Sequence, residues 1–518
     1  MRKRAVRLLV CLCLLFAEDT AIAYAGQEDP LDRIIPNEQQ MGIVPGEKTL
    51  DYKAYPPDNY AWDLGYDFIE WKGWKPVMHN PFPILLNGLS NFLFYLNTLL
   101  VRFGIFLMQL GFHTDLVNAQ LSVILPIMDG LKTSLFFRFL PLILVLLAAW
   151  MIKVGYWNNQ TTRLTSGTIG AVLVLTGGLW FMGNAGQSIG WVSRTMDQLT
   201  QVTMGSLAAP YQAVTGDQVQ EGGLLSAADQ QLINTSNRIW KLFVDRPWTI
   251  GELNRENADD IRVTGEEAEE IQKLAREGEV ELNVRPGEEW SHLLRQYAPS
   301  MPQRDILRKV LGSPDIDHGN HDDLVGHFWG GSAGTRFLIA LLALLASFML
   351  LLFVGTISLI LVLAQEMALA IIILAPIVFL LGVLPERGFA LTRKWVTWLI
   401  GTLGTKVVYG FYLGLTLLIS DIVARGSGLL VIQQIFVGLL FFCAFLFRKK
   451  ILQHILSFFE APTPHQMYQT TKAEVTQHWN ETKESWNRTK ESWNRTKDKA
   501  KQWWPKRKPK PEGDEGTE

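Results

Sequence analysis

Residues 337–384 read FLIALLALLASFMLLLFVGTISLILVLAQEMALAIIILAPIVFLLGVL, and Glu366 is the only charged residue among these 48. About 20 consecutive apolar residues suffice to cross the ~30 Å hydrocarbon core of a bilayer. At 1.5 Å per residue, one helix of this length would measure roughly 72 Å. The stretch is therefore expected to cross twice, as a hairpin turning near Gln365 and Glu366, where its one charge sits. Such a block makes the chain an integral membrane protein, and the rest of the sequence is read around it.

Working outward, further apolar blocks occupy residues 84–112 (interrupted by Arg102), 139–156, 165–191, 395–420 and 429–447, which brings the expected spans to seven. Residues 111–135 mix Leu121, Val123, Ile124 and Ile127 with Asp115, Asp129 and Lys132, the pattern of a helix lying at the membrane surface. The chain opens with Arg2, Lys3 and Arg4, an apolar run over residues 8–16, and small residues at Ala21, Ala23 and Ala25. That order reads as a secretory signal peptide over residues 1–25, which places residue 26 onward outside the cytoplasm. Seven spans starting outside end inside. The basic loop of Arg387, Arg393 and Lys394, and the cluster Arg448, Lys449 and Lys450, then both fall on the cytoplasmic side, as the positive-inside rule requires. The same count puts the long polar middle of the chain in the cytoplasm.

The expected architecture is an all-α, polytopic transmembrane bundle with polar segments between its membrane parts. Residues 26–82 form an aromatic-rich extracytoplasmic segment, 83–191 a first membrane domain of three spans plus an interfacial helix, 192–335 an acidic, largely helical domain, 336–450 a second membrane domain of four spans, and 451–518 a basic tail. The chain's 48 basic and 50 acidic residues give a net charge of −2, which hides opposite local charges. Residues 192–335 hold 23 acidic and 13 basic residues, so this region repels nucleic acid. Within it, residues 266–278 carry a helical pattern with Thr264 as N-cap, and 289–297 and 304–311 look like shorter helices. Tyr60, Trp62, Tyr66, Phe68, Trp71 and Trp74 crowd ahead of the first span, as an aromatic belt at the membrane surface or a docking patch. In the tail, Trp479, Trp486 and Trp493 recur every seven residues amid Lys and Arg, which suits an amphipathic helix on an anionic membrane, with self-association or plain solvation as alternatives.

Cysteine occurs only at Cys11, Cys13 and Cys443, which excludes a disulfide scaffold and a thiolate zinc site. Gly330, Ser332 and Gly334 match G-x-S-x-G, but no buried strand precedes the serine, so a hinge is the better reading. Asp315, Asp317, His318, His321, Asp322, Asp323 and His327 collect metal-type ligands in a Gly-rich stretch without H-E-x-x-H, and read as a polar loop. Gly401, Gly404 and Lys406 lack phosphate-loop spacing. No catalytic residue, cofactor or metal site is assigned. Lys406 stands out as a charge about 12 residues into its span, roughly 18 Å from the inner end. Such a residue faces a bundle interior or a wet cavity, or snorkels outward, and Glu366 is its nearest expected partner. Gly186 with Gly190 and Gly410 with Gly414 have the small-x-x-x-small spacing of close helix contacts.

Residues 365–412, QEMALAIIILAPIVFLLGVLPERGFALTRKWVTWLIGTLGTKVVYGFY, resemble the polytopic membrane subunit of type IV secretion and conjugation systems, the TrbL-like family. The resembling features are an apolar helix with Ala375-Pro376, a basic loop from Arg387 to Lys394, and Trp395 and Trp398 opening the next span. The signal peptide, early spans, polar middle and charged tail are also similar, especially to members in conjugative elements of Gram-positive bacteria. The resemblance implies a non-enzymatic channel or platform subunit in the bacterial cytoplasmic membrane. It would be oligomeric within its assembly, driven by partner ATPases, and would help a single-stranded DNA–relaxase complex cross. In this family the central polar region is often extracytoplasmic. A solute transporter or permease is the alternative from another class, although the two membrane halves do not mirror one another. An intramembrane enzyme is disfavoured, since no His lies in any expected span.

Overall fold

The computed structural model describes residues 54–458, apart from 66–68, 73–74, 79, 114, 159, 206–226, 256–260, 386–387 and 427–429. The expected signal peptide and the Trp479, Trp486 and Trp493 repeat lie outside the described residues, as does Arg387. A short antiparallel hairpin, β1 (Ile69–Lys72) and β2 (Lys75–Met78), precedes the first long helix. The helices then follow in order: α1 (Pro81–His113), α2 (Leu116–Ala119), α3 (Leu121–Trp157), α4 (Thr161–Gly183), α5 (Ala185–Gly205), α6 (Ala227–Trp240) and α7 (Arg246–Leu253). After them come α8 (Gly265–Glu277), α9 (Trp290–Gln296), α10 (Pro302–Leu311), α11 (Asp323–Gly326), α12 (Ala333–Ile373), α13 (Ala375–Gly382), α14 (Gly388–Gly426) and α15 (Leu430–Phe458). Among the described residues, six helices are long and apolar enough to cross a membrane: α1, α3, α4, α12, α14 and α15. The protein is therefore a mostly helical, multi-pass membrane protein in character.

The stretch expected to fold as a hairpin does not turn at Gln365 and Glu366. It runs straight through them as one 41-residue helix, α12. Both polar side chains are satisfied in place: the Leu116 N–H donates to Gln365 Oε1 at 2.9 Å, and Gln120 Nε2 donates to Glu366 Oε1 at 3.1 Å. With partners supplied by α2, the helix has no need to bend toward water there. It breaks later, at Leu374, where Pro376 opens α13 in the first turn, the place where a missing N–H costs nothing.

α1 and α12 form the central pair and run in the same direction. Asn87 meets Arg336 and Asn97 meets Ser347, at separations of 249 and 250 residues, and just beyond α1 Leu116 of α2 meets Gln365 at a separation of 249. A constant separation means two parallel helices in register. The approach is close: a Cβ on Gly111 would lie 2.8 Å from Ser358 Cα, so glycine is what lets the backbones meet. α3 and α4 form an antiparallel pair, with Gly155 against Leu164 and Gly167 against Trp150, packed on α13 and the start of α14. The expected third span is interrupted at Asn184, which separates α4 from α5. The expected surface helix over 111–135 is instead α2 followed by the first turns of α3, continuous with the next span.

Parallel α1 and α12 require the chain between them to return to its starting end. The return is made by polar helices, α5 then α6 and α7. Ser236 lies beside Gln109, and Phe243 beside Asn97, so this segment climbs α1 in the opposite direction. The middle domain consequently lies at the same end as the residues before α1, and the separation of the two expected from span counting is overturned. Tyr60 and Trp62 are core residues of that domain and form no surface belt: Trp62 Nε1 donates to Trp248 O at 3.0 Å, and Tyr60 packs edge-on against Trp240 and Trp248. Two buried arginines lock the junction. Arg304 Nε donates to Asp63 at 2.5 Å, and Arg336, at the start of α12, donates to Gly251 O at 2.7 Å and to Glu252 at 3.4 Å. Burial and the neighbouring Asp63 carboxylate push the Glu252 carboxyl up, against the pull of Arg336 and Arg304. The expected helices at 266–278, 289–297 and 304–311 are present as α8, α9 and α10, with Thr264 capping α8.

Candidate functional site

The polar residues of the bundle gather in a belt between its apolar parts. Asp115 caps α2, accepting from Asn118 N at 3.0 Å, and its Oδ1 also accepts from Ser193 on α5 at 3.1 Å. One turn further along α5, Asp197 accepts from Lys406 Nζ of α14 at 2.6 Å. Gln365 and Glu366 of α12 complete the level, held by α2 as described above. Between them is a void of about 20 Å³ lined by Asp115, Ser193, Asp197, Gln365 and Lys406 among others. That is room for about one water molecule, with enough polar neighbours to hold it.

A second ion pair ties the next helix of the return segment, α6, to α14. Arg238 of α6 meets Asp421 of α14 at 2.7 Å, with side-chain exposures of only 11% and 12%. Between the two pairs, Gln109 donates to Ser236 Oγ at 3.3 Å. Beyond them, Asn97 Nδ2 donates to Phe243 O at 3.0 Å while its Oδ1 accepts from Ser347. Phe243 lies in a single π-helical turn at Lys241–Asp245. A π turn shifts the hydrogen-bond ladder and leaves a carbonyl for an outside donor, and such turns concentrate at working sites. The polar return segment is thus bonded to apolar helices on both sides through groups that would be costly to bury alone.

The expected Lys406–Glu366 pair is not formed. Lys406 reaches Asp197, because α5 packs directly against α14, whereas Glu366 meets Gln120, next to α2. Pro376 is buried in the α13 break. Gly401 and Gly404 lie on α14 near Lys406, where a Cβ on Gly404 would meet open space, and Gly410 and Gly414 are buried further along it. Gly186 faces Leu125 and Gly190 faces Asn118, so that pair permits close contact of α5 with α2 and α3. Arg393 and Lys394 are exposed at the start of α14. Arg102, which interrupts the first apolar block, lies within α1 with its guanidinium 5.7 Å over the Trp240 ring. Ser332 Oγ donates to His327 O at 2.8 Å, and the His327 ring points to Gly251 O, so serine and imidazole are not paired. Sequence reasoning missed Asp115, Asp197, Arg238 and Asp421. Their signal was present as charges flanking or interrupting apolar blocks, but Asp115 was read as part of a surface helix, and Asp197 and Arg238 as part of a separate polar domain after residue 191.

The metal-type stretch divides. Asp323 pairs with Arg255 and His327 turns to α7, whereas His318 and His321 converge on Glu267. Burial alone would raise the Glu267 carboxyl. Hydrogen bonds from His318, His321 and the Thr264 N–H outweigh it and bring the group down to about 2. No protein-family model matches the chain, and no curated protein or solved structure does either.

Proposed function

We propose that the protein is a platform or channel subunit of a conjugative type IV secretion machine in the bacterial cytoplasmic membrane. It would assist a DNA–protein substrate across while partner ATPases supply the energy. The observation that carries the reading is the pair of ion bridges, Lys406–Asp197 and Arg238–Asp421, joining a polar return segment to an apolar span. Ionisable residues at such positions are expensive and are kept for pathways and moving parts. Ion pairs between helices can part and re-form, so α5 and α6 can act as a latch against α14. The resemblance of residues 365–412 to the TrbL-like family supplies the cargo class. An acidic middle domain suits contact with partner proteins better than with DNA.

In this reading the signal peptide puts the middle domain outside the cytoplasm, together with the segment before α1 that it encloses. α12 then runs inward, α14 outward and α15 inward, which returns Arg393, Lys394 and Arg448–Lys450 to the cytoplasmic side. Deletion and complementation test the function. Loss of DNA transfer to recipients, restored by the wild-type chain, is the expected result. Normal transfer with altered uptake or export of a single solute would favour the permease reading.

A further inference from the structure

We propose that Glu267, His318 and His321 form a binding site for one divalent zinc-type cation, which staples α8 to the segment leading into α12. The three residues come from positions 51 and 54 residues apart in sequence. Each offers one ligand atom, all within 4.8 Å of one another, and their side chains are 0–1% exposed. Gly319, at φ +63°, makes the turn that brings His318 and His321 to the same side. Asp317 Oδ1 and Asp322 Oδ1 hold that turn by accepting from the Gly319 and His318 N–H groups at 2.8 and 3.0 Å.

The orientation of the rings carries the argument. His318 turns Nδ1 toward Glu267 Oε1 at 2.6 Å and Nε2 toward Ser313 O at 2.8 Å. His321 turns Nε2 toward the same Oε1 at 2.9 Å and Nδ1 toward Asn320 Oδ1 at 2.9 Å. The other carboxylate oxygen, Oε2, accepts from Thr264 N at 2.7 Å and Trp290 Nε1 at 3.1 Å. Every outward-facing atom is thus anchored, and one nitrogen of each ring and one carboxylate oxygen face a common point. Metal-binding histidines use their second nitrogen in this way, donating it to a carbonyl or carboxylate so that the first presents a lone pair.

Two imidazolium rings beside one carboxylate, or one divalent cation beside one carboxylate with neutral rings, leave the same net charge of about +1. Geometry favours the cation: three buried ligand atoms from two separate segments lie within 4.8 Å of one another, and the second nitrogen of each ring is held by an oxygen acceptor, Ser313 O and Asn320 Oδ1. Bonds of ~2.0–2.2 Å at tetrahedral angles set ligand atoms about 3.4 Å apart, so the two ring nitrogens, now 2.6 and 2.9 Å from Glu267 Oε1, would have to part from it by roughly 0.5–0.8 Å. Two imidazoles, a carboxylate and no thiolate suit a zinc-type ion with water in its fourth position.

The test uses the full-length protein in detergent, stripped with chelator and then titrated with Co²⁺ and Zn²⁺. About one Co²⁺ per chain, with visible absorption that Zn²⁺ abolishes, is expected, and His318→Gln and His321→Gln are each expected to weaken binding ~100-fold or more. Asn320→Leu, which leaves all three ligands in place, should weaken it by about 10–100-fold. Failure of the wild-type protein to take up either ion at about 100 μM, roughly saturating for a specific zinc site, would overturn the proposal. So would binding that is unchanged in both histidine variants. The first of these results does not depend on a variant folding, because the wild-type titration stands alone.

Discussion

Replacing Lys406 by methionine tests the polar belt most directly. The substitution keeps the length of the side chain and removes the ammonium, leaving Asp197 without its cation beside a void lined by Asp115, Ser193 and Gln365 as well as by Met196, Leu361 and Leu403. At an effective dielectric of ~20, two charges about 4 Å apart attract by roughly 4 kcal/mol. The side chains are 11% and 27% exposed, so water recovers part of that when one partner is lost. Breaking a buried pair on one side costs about 3–5 kcal/mol, much of it the penalty of an unpaired charge. We therefore expect Lys406→Met to destabilise the protein by about 3 kcal/mol and to lower DNA transfer. Lys406→Met with Asp197→Asn should recover most of the stability, for a coupling energy of about 2 kcal/mol in a double-mutant cycle read by thermal unfolding in detergent. The charge swap Lys406→Asp with Asp197→Lys should restore membrane levels, and transfer measured in it separates the latch from mere stability. A coupling below about 0.5 kcal/mol, or a larger one between Lys406 and Glu366, would refute the assigned pair.

Three other outcomes are expected. A cysteine at Glu277, exposed on α8, in a Cys443→Ser background should react with an impermeant thiol reagent in intact cells; labelling only after lysis would place the middle domain inside. Gly251→Ala should cost about 1–3 kcal/mol, since its Cβ would lie 2.4 Å from the buried Trp62 ring, and an unchanged melting temperature would contradict that contact. Burial, with Arg336 adding to it, pushes the His327 imidazole down to about 4. The folded state therefore holds it neutral, and its contribution is complete above the unfolded value near 6.5. About 2–3 kcal/mol should be lost as pH falls from ~6.5 to ~4, with no further change from this group below. His327→Gln should remove that part of the pH dependence, and an unaltered stability profile would count against it.

The apolar blocks were legible as long helices because burial in hydrocarbon demands a composition no loop or soluble surface shares. The Thr264 cap and α8–α10 were legible because local hydrogen bonding and helical periodicity determine them. Gln365 and Glu366 show where that reasoning stopped. Their polarity was read as a turn, since a charge inside an apolar run has to reach a partner, and only the folded chain shows that α2 brings the partner to them. The same cause hid Asp197 from Lys406: 209 residues separate them, and nothing local announces the contact. The direction of α12 relative to α1 was equally out of reach, because counting apolar segments misses a return made by polar helices whose groups are satisfied by neighbouring spans. Sequence alone determined that this is a helical membrane protein with a polar middle. Tertiary structure decided which end that middle occupies and which charges meet, because a buried polar group is defined by its partner and partners come from distant parts of the chain.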